Sequence, residues 1–94
     1  MGGRGGSSNN IATIQRQADR LWDRMTNQYN HVHANGTTED IENFRAVQNN
    51  LTEMHRLRSE GNNIVADVYK DRARRIYREM PQDLKTVPFS RLTD

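Results

Sequence analysis

From residue 11 onward the apolar positions fall at Ile11, Ile14, Ala18, Leu21, Met25 and Val32. Steps of three and four keep them on one face of a helix with a 3.6-residue period. Gln28 occupies the stripe position between Met25 and Val32, Tyr29 lies beside it, and Trp22 widens the apolar face by one position. Asn9 or Asn10 is placed to cap the first turn by accepting from its free N–H groups. Asn35-Gly36 is placed to close the helix, with glycine taking the left-handed conformation. A second stripe, Ile41, Phe44, Val47, Leu51, Met54 and Leu57, follows Thr37 or Thr38 as cap. Glu39, Asp40 and Glu42 stand where the helix dipole favours negative charge, and Gly61 ends the pattern. A third stripe carries Val65, Val68, Tyr69, Ala73, Ile76, Tyr77 and Met80 after a cap at Asn62-Asn63. Pro81 stops it, because proline lacks an N–H and pushes the residue before it out of helical geometry.

These signals predict helices at about 9–34, 38–60 and 63–80, forming a helical domain over roughly residues 9–80. Short connections favour antiparallel neighbours, so the expected fold class is all-α, a three-helix antiparallel bundle. Residues 1–8, MGGRGGSS, read as a flexible glycine-rich tail. Residues 81–94 hold two prolines and no sustained period, and read as an irregular C-terminal extension. Leu84, Val87, Phe89 and Leu92 are expected to pack it along the bundle while its last residues fray. The first helix is long enough to overhang the others, and the overhang near Trp22 is where a second copy would dock.

Five Leu, five Ile, five Val and two Phe make only 17 strongly apolar residues in 94, a thin core for a small domain. The net charge is only +2, which does not favour disorder. The chain is therefore expected to fold and to gain stability from a partner, either a second copy or a target protein. The absence of cysteine excludes disulfides, a thiol nucleophile and a thiolate metal site, and fits a reducing cytoplasm. The longest aliphatic run is Ile64 to Ala66, and a glycine tail stands where a secretion signal would place its apolar stretch. No membrane span and a cytoplasmic location follow as expectations.

Twelve of the fourteen cationic residues are arginine, whose planar fork of donors suits carboxylates and phosphates. Arg16, Arg20 and Arg24 recur every four residues and so form one row on the first helix. Lys70, Arg74 and Arg78 form a second row on the third helix, with Arg75 and Arg72 beside it. Side by side, the rows would make one basic surface, to which Arg4 adds a charge from the tail. The alternative is a solvated face in which the cations pair with Asp19, Asp23, Asp67, Asp71 and Glu79. The candidate partner-binding residues are thus Arg4, Arg16, Arg20, Arg24, Lys70, Arg74, Arg75 and Arg78, facing an acidic protein, a nucleoprotein or nucleic acid itself. His31 and His33, two apart, point to different sides of a helix, and His55 is alone. No catalytic, cofactor or metal constellation is found, and the chain is expected not to be an enzyme.

The opening GGRGGSS resembles the N-termini of short proteins from phages and prophages of Gram-positive bacteria, many of which begin Gly-Gly-Arg-Gly followed by small residues and serines. The resemblance covers about eight residues and implies a genomic origin more than a biochemical activity. Small cysteine-free helical chains of that kind are often host-directed inhibitors, anti-CRISPR proteins included, or accessory head and packaging components. Three expectations result. The first is a phage-encoded inhibitor of a bacterial defence protein or nucleoprotein. The second is a homo-oligomeric structural or packaging accessory protein, and the third a small nucleic-acid-binding protein.

Overall fold

The computed structural model describes the backbone of residues 2–93 and the side chains of residues 16–93. Its elements are α1 (Gly2–Asn35), α2 (Thr38–Ser59), α3 (Asn63–Glu79), a 3-10 turn (Gln82–Leu84) and α4 (Ser90–Thr93), with no strand among the described residues. The fold is all-α, with three long helices in antiparallel succession. α1 runs through the stretch read as tail, so Asn9 and Asn10 lie inside the helix instead of capping it. The side chains of Arg4, Ile11 and Ile14 lie outside the described residues.

The start of α2 is built as the sequence indicates. The Thr37 hydroxyl accepts from the Asp40 N–H at 3.2 Å, and the Asp40 carboxylate accepts from the Thr37 N–H at 2.9 Å. This reciprocal capping box satisfies two N–H groups that have no partner within the helix. Glycine at 36 serves a purpose other than the expected one. Among the described residues only Gly61 has positive φ, at 81°. A Cβ on Gly36 would meet Val32 O at 2.8 Å, Asp40 Cβ at 3.0 Å and Leu84 Cδ1 at 3.1 Å. Gly36 is therefore required by the close approach of α1, α2 and the C-terminal segment, while Gly61 supplies the left-handed residue between α2 and α3.

The main interface joins α2 to α3. Phe44, Val47, Leu51, Met54 and Leu57 are buried on α2, and Ala66, Ala73 and Tyr77 on α3. Tyr69, Ala73, Ile76, Tyr77 and Met80 of the expected α3 stripe are buried or packed on the core, while at its start Ala66 takes the inward place expected of its neighbours. Val65 and Val68, expected inside, are 40% and 46% exposed, and Ile64 is 84% exposed. Asn62 precedes α3 without a side-chain capping bond, against expectation.

α1 contributes Gln28 and Val32 to the core, with Met25 and Tyr29 partly buried against it. Trp22 does not widen the buried face: it is 72% exposed. At ~1.5 Å per residue, the 34 residues of α1 span about 51 Å and the 22 of α2 about 33 Å, so α1 outruns its neighbour. The molecule is correspondingly long, with principal extents of 54 × 28 × 17 Å.

α1 packs chiefly on α2, on the 3-10 turn and on α4. The third side of the bundle is closed by residues 81–93, hereafter the strap. Leu84 and Leu92 are buried in the common core, and Thr93 is buried too, so residues 92 and 93 are packed where fraying was expected.

Candidate functional site

α3 and the strap enclose an open groove of about 690 Å³. Lys70, Arg74, Tyr77 and Arg78 line it from α3. Gln82, Lys85, Thr86, Val87, Pro88, Phe89, Ser90 and Thr93 line it from the strap. Four cations face this space, and no carboxylate is among its lining residues. The row at 70, 74 and 78 arises because helical residues four apart share a face. The strap brings the fourth cation, Lys85, to the same place.

Two of the four cations are held in position. The Arg74 guanidinium donates to Asp71 at 3.0 Å and lies 5.6 Å from the centre of the Phe89 ring. The Lys85 ammonium donates to the Arg78 carbonyl at 3.0 Å and lies 5.5 Å from the centre of the Tyr77 ring. Each cation thus bridges the two walls through an aromatic face, a contact of ~0.5–1 kcal/mol at an exposed site. A groove with pre-placed cations and aromatic and hydroxyl groups beside them suits a small number of carboxylates or phosphates.

The remaining candidates are dispersed. Arg75 is exposed outside the groove lining. Arg16 and Arg20 are exposed on α1 and form no ion pair with Asp19 or Asp23, so the pairing expected at that spacing is absent. On α3 the Arg74–Asp71 pair does form, and Asp67 lies 3.8 Å from Arg58. Arg24 donates to the Arg91 carbonyl at 2.9 Å, fastening α1 to α4. The two basic rows do not line a common groove. The strap touches α1 through Arg91, Leu84 and Thr86, and α3 through Val87 and Phe89.

Gln28, the polar residue in the apolar stripe of α1, is fully buried and holds the strap. Its amide N–H donates to the Leu84 carbonyl. Its carbonyl oxygen accepts from the Thr86 N–H at 2.7 Å and the Thr86 hydroxyl at 2.8 Å, with the Tyr77 hydroxyl at 3.1 Å. The single Tyr77 hydroxyl proton goes to the Val87 carbonyl, its closer partner at 2.5 Å, with the Gln28 oxygen as the more distant of its two acceptors. Burial pushes the Tyr77 phenol up to about 12, against a smaller lowering by the Val87 contact. No buried side-chain polar atom among the described residues lacks a partner. Sequence reading missed Lys85 and Thr86, which have no periodic pattern to reveal them, and expected Phe89 only as a packing residue, which it also is. The one available signal was the glutamine at a core position.

A second, more apolar groove of about 360 Å³ lies between α1 and α2, lined by Ala18, Leu21, Trp22 and Met25 opposite Gln48, Leu51, Thr52 and His55. Burial, and secondarily the Arg58 charge, hold the His55 imidazole below its ordinary range. His31 meets the Asp83 carbonyl at 3.0 Å, joining α1 to the 3-10 turn. Among the described residues no group of three His, Cys, Asp or Glu is arranged to hold a metal, and no helix is long and apolar enough to cross a membrane. Compared with protein-family models, curated proteins and solved structures, the chain matches none of them.

Proposed function

We propose that the chain is a non-enzymatic binding protein that takes an acidic segment of another protein into the groove between α3 and the strap. The observation that carries this is the convergence of Lys70, Arg74, Arg78 and Lys85 on a groove whose lining has no carboxylate. A short acidic segment fits better than a nucleic-acid duplex. The α3 row covers two helical turns, about 12 Å at ~1.5 Å per residue. Asp67, Asp71 and Asp83 lie near it along the chain, and the net charge is only +2. A long polyanion would meet all three carboxylates, whereas a short segment would meet only Asp71, which is already paired with Arg74, and would be drawn chiefly by Lys70, Arg78 and Lys85. Joined to the phage-like opening, the proposal becomes an inhibitor that occupies an acidic surface of a bacterial defence protein or nucleoprotein, with an anti-CRISPR protein as the most concrete case.

The test is fluorescence anisotropy with a labelled octapeptide of Asp and Glu. Lys70→Glu with Arg78→Glu should weaken binding about tenfold, two exposed charge contacts being worth roughly 0.5–1 kcal/mol each. Arg16→Glu with Arg20→Glu should leave it nearly unchanged. Equal loss from both pairs would reduce the effect to net charge. Tighter binding of a single-stranded oligonucleotide, with steep salt dependence, would favour nucleic acid instead.

Trp22 supports a second reading, a homo-oligomeric accessory protein. A 72% exposed tryptophan borders an apolar groove on the helix that outruns its neighbour. A second α1 has the same stripe and length. Dilution should then red-shift the emission of Trp22, the only tryptophan, as dimers separate. Concentration-independent emission and a monomeric mass would remove this reading.

A further inference from the structure

The groove has one wall made of regular helix and one made of strap, and only the second needs an external device to hold it. Between the 3-10 turn and α4 the strap is neither helix nor strand. Its backbone polar groups there must find partners outside regular structure. Two side chains supply them. Gln28 takes the Leu84 carbonyl and the Thr86 N–H, and Tyr77 takes the Val87 carbonyl. Three backbone groups within four residues are thereby fixed to α1 and α3.

A buried amide in an apolar stripe is costly unless its hydrogen bonds are made. Gln28 therefore favours one position of the strap over any displaced one, since displacement strands its amide in the core. Leucine or methionine at that position would permit sliding. Lys85 immediately precedes the clamped Thr86, and its ammonium lies over the ring of Tyr77, the other member of the clamp. Phe89, tilted against Tyr77 with ring centres 5.9 Å apart, carries the contact to Arg74.

We infer that Gln28 and Tyr77 are the positioning residues of the groove. Gln28 lies outside the groove lining and Tyr77 within it; together their bonds to the strap set the separation of the walls and place Lys85 opposite the Lys70, Arg74 and Arg78 row. The inference rests on the acidic-segment reading and adds to it that the site exists only while the strap is clamped.

The experiment is a double-mutant cycle of Gln28→Met and Lys85→Ala, read with the same acidic octapeptide and with amide hydrogen exchange. Cycles of this kind isolate coupling from general destabilisation. In Gln28→Met the Thr86 amide should lose protection while Val47, Leu51 and Ala73 keep theirs. Lys85→Ala should weaken binding severalfold in the parent chain and have no effect in the Gln28→Met background. A role in stability alone would leave the Lys85 effect the same in both backgrounds and would overturn the inference. If Gln28→Met costs the helices, Tyr77→Phe, which deletes only the hydroxyl, replaces it in the cycle. A parent chain that fails to bind the octapeptide removes the acidic-segment reading and this inference together. Binding that responds to Lys70→Glu with Arg78→Glu but shows no Gln28–Lys85 coupling overturns the inference and leaves the reading standing.

Discussion

Between α2 and α3 the buried contact is apolar along its length, from Phe44 to Leu57 on one side and from Ala66 to Tyr77 on the other. The strap reaches the same core with Leu84 and Leu92 but is held between them by polar groups, chiefly the Gln28 amide and the Tyr77 hydroxyl. The difference separates stability from register. Apolar contact is strong and tolerant of small shifts, whereas a buried amide tolerates only the position that satisfies it. The cationic groove lies where the two kinds of contact meet.

The largest effect should come from the apolar side. Phe44→Ala should cost ~3–5 kcal/mol in denaturant unfolding, because a fully buried aromatic leaves a cavity as well as losing its transfer energy. Loss of the strap alone, with helix content and cooperativity of the rest unchanged, would break the comparison. Gly36→Ala comes next, at about 1–3 kcal/mol, since the new methyl meets a backbone carbonyl at 2.8 Å. Its effect should reach both α2 and the strap, because Asp40 and Leu84 are the other neighbours.

The hairpin is the legible part of this sequence. Its stripes, its capping box at Thr37 and its Gly61 turn are local signals, and local geometry satisfies them. The rotation of α3 at its start was not legible, because whether Ala66 or Val65 and Val68 face inward depends on how the two helices pack together. Half of the candidate site was visible in the same way, as a cationic row with helical spacing. The other half belongs to the strap, which has no period. Its position depends on bonds between residues 28 and 84–87, whose separation in the chain gives sequence patterning nothing to detect. Trp22 misled for a related reason: it stands beside the stripe of α1 at the rim of the groove facing α2, and remains 72% exposed there.

Two pH effects sharpen the contrast. A Tyr77 phenol raised from 10.0 to about 12 contributes stability that is fully present below pH 10. That contribution is lost as pH rises toward about 12, because the unfolded chain releases the proton first. Unfolding midpoints followed across that interval should fall more steeply in the parent than in Tyr77→Phe. His55 gives the smallest effect and the opposite sense. Its imidazole is held below 6.5, so its contribution is present above that pH and is lost as pH falls through and below it. His55→Gln should flatten this acid-side dependence without altering the alkaline one.

The most direct measurement is a two-dimensional amide spectrum of the isotope-labelled chain titrated with the acidic octapeptide. A groove built jointly by helix and strap predicts that the amides of Lys70, Arg74 and Arg78 shift together with those of Lys85, Thr86, Val87, Phe89 and Ser90, with one midpoint for both sets. Shifts confined to Arg16, Arg20 and Arg24, or to α3 with the strap unmoved, would contradict it.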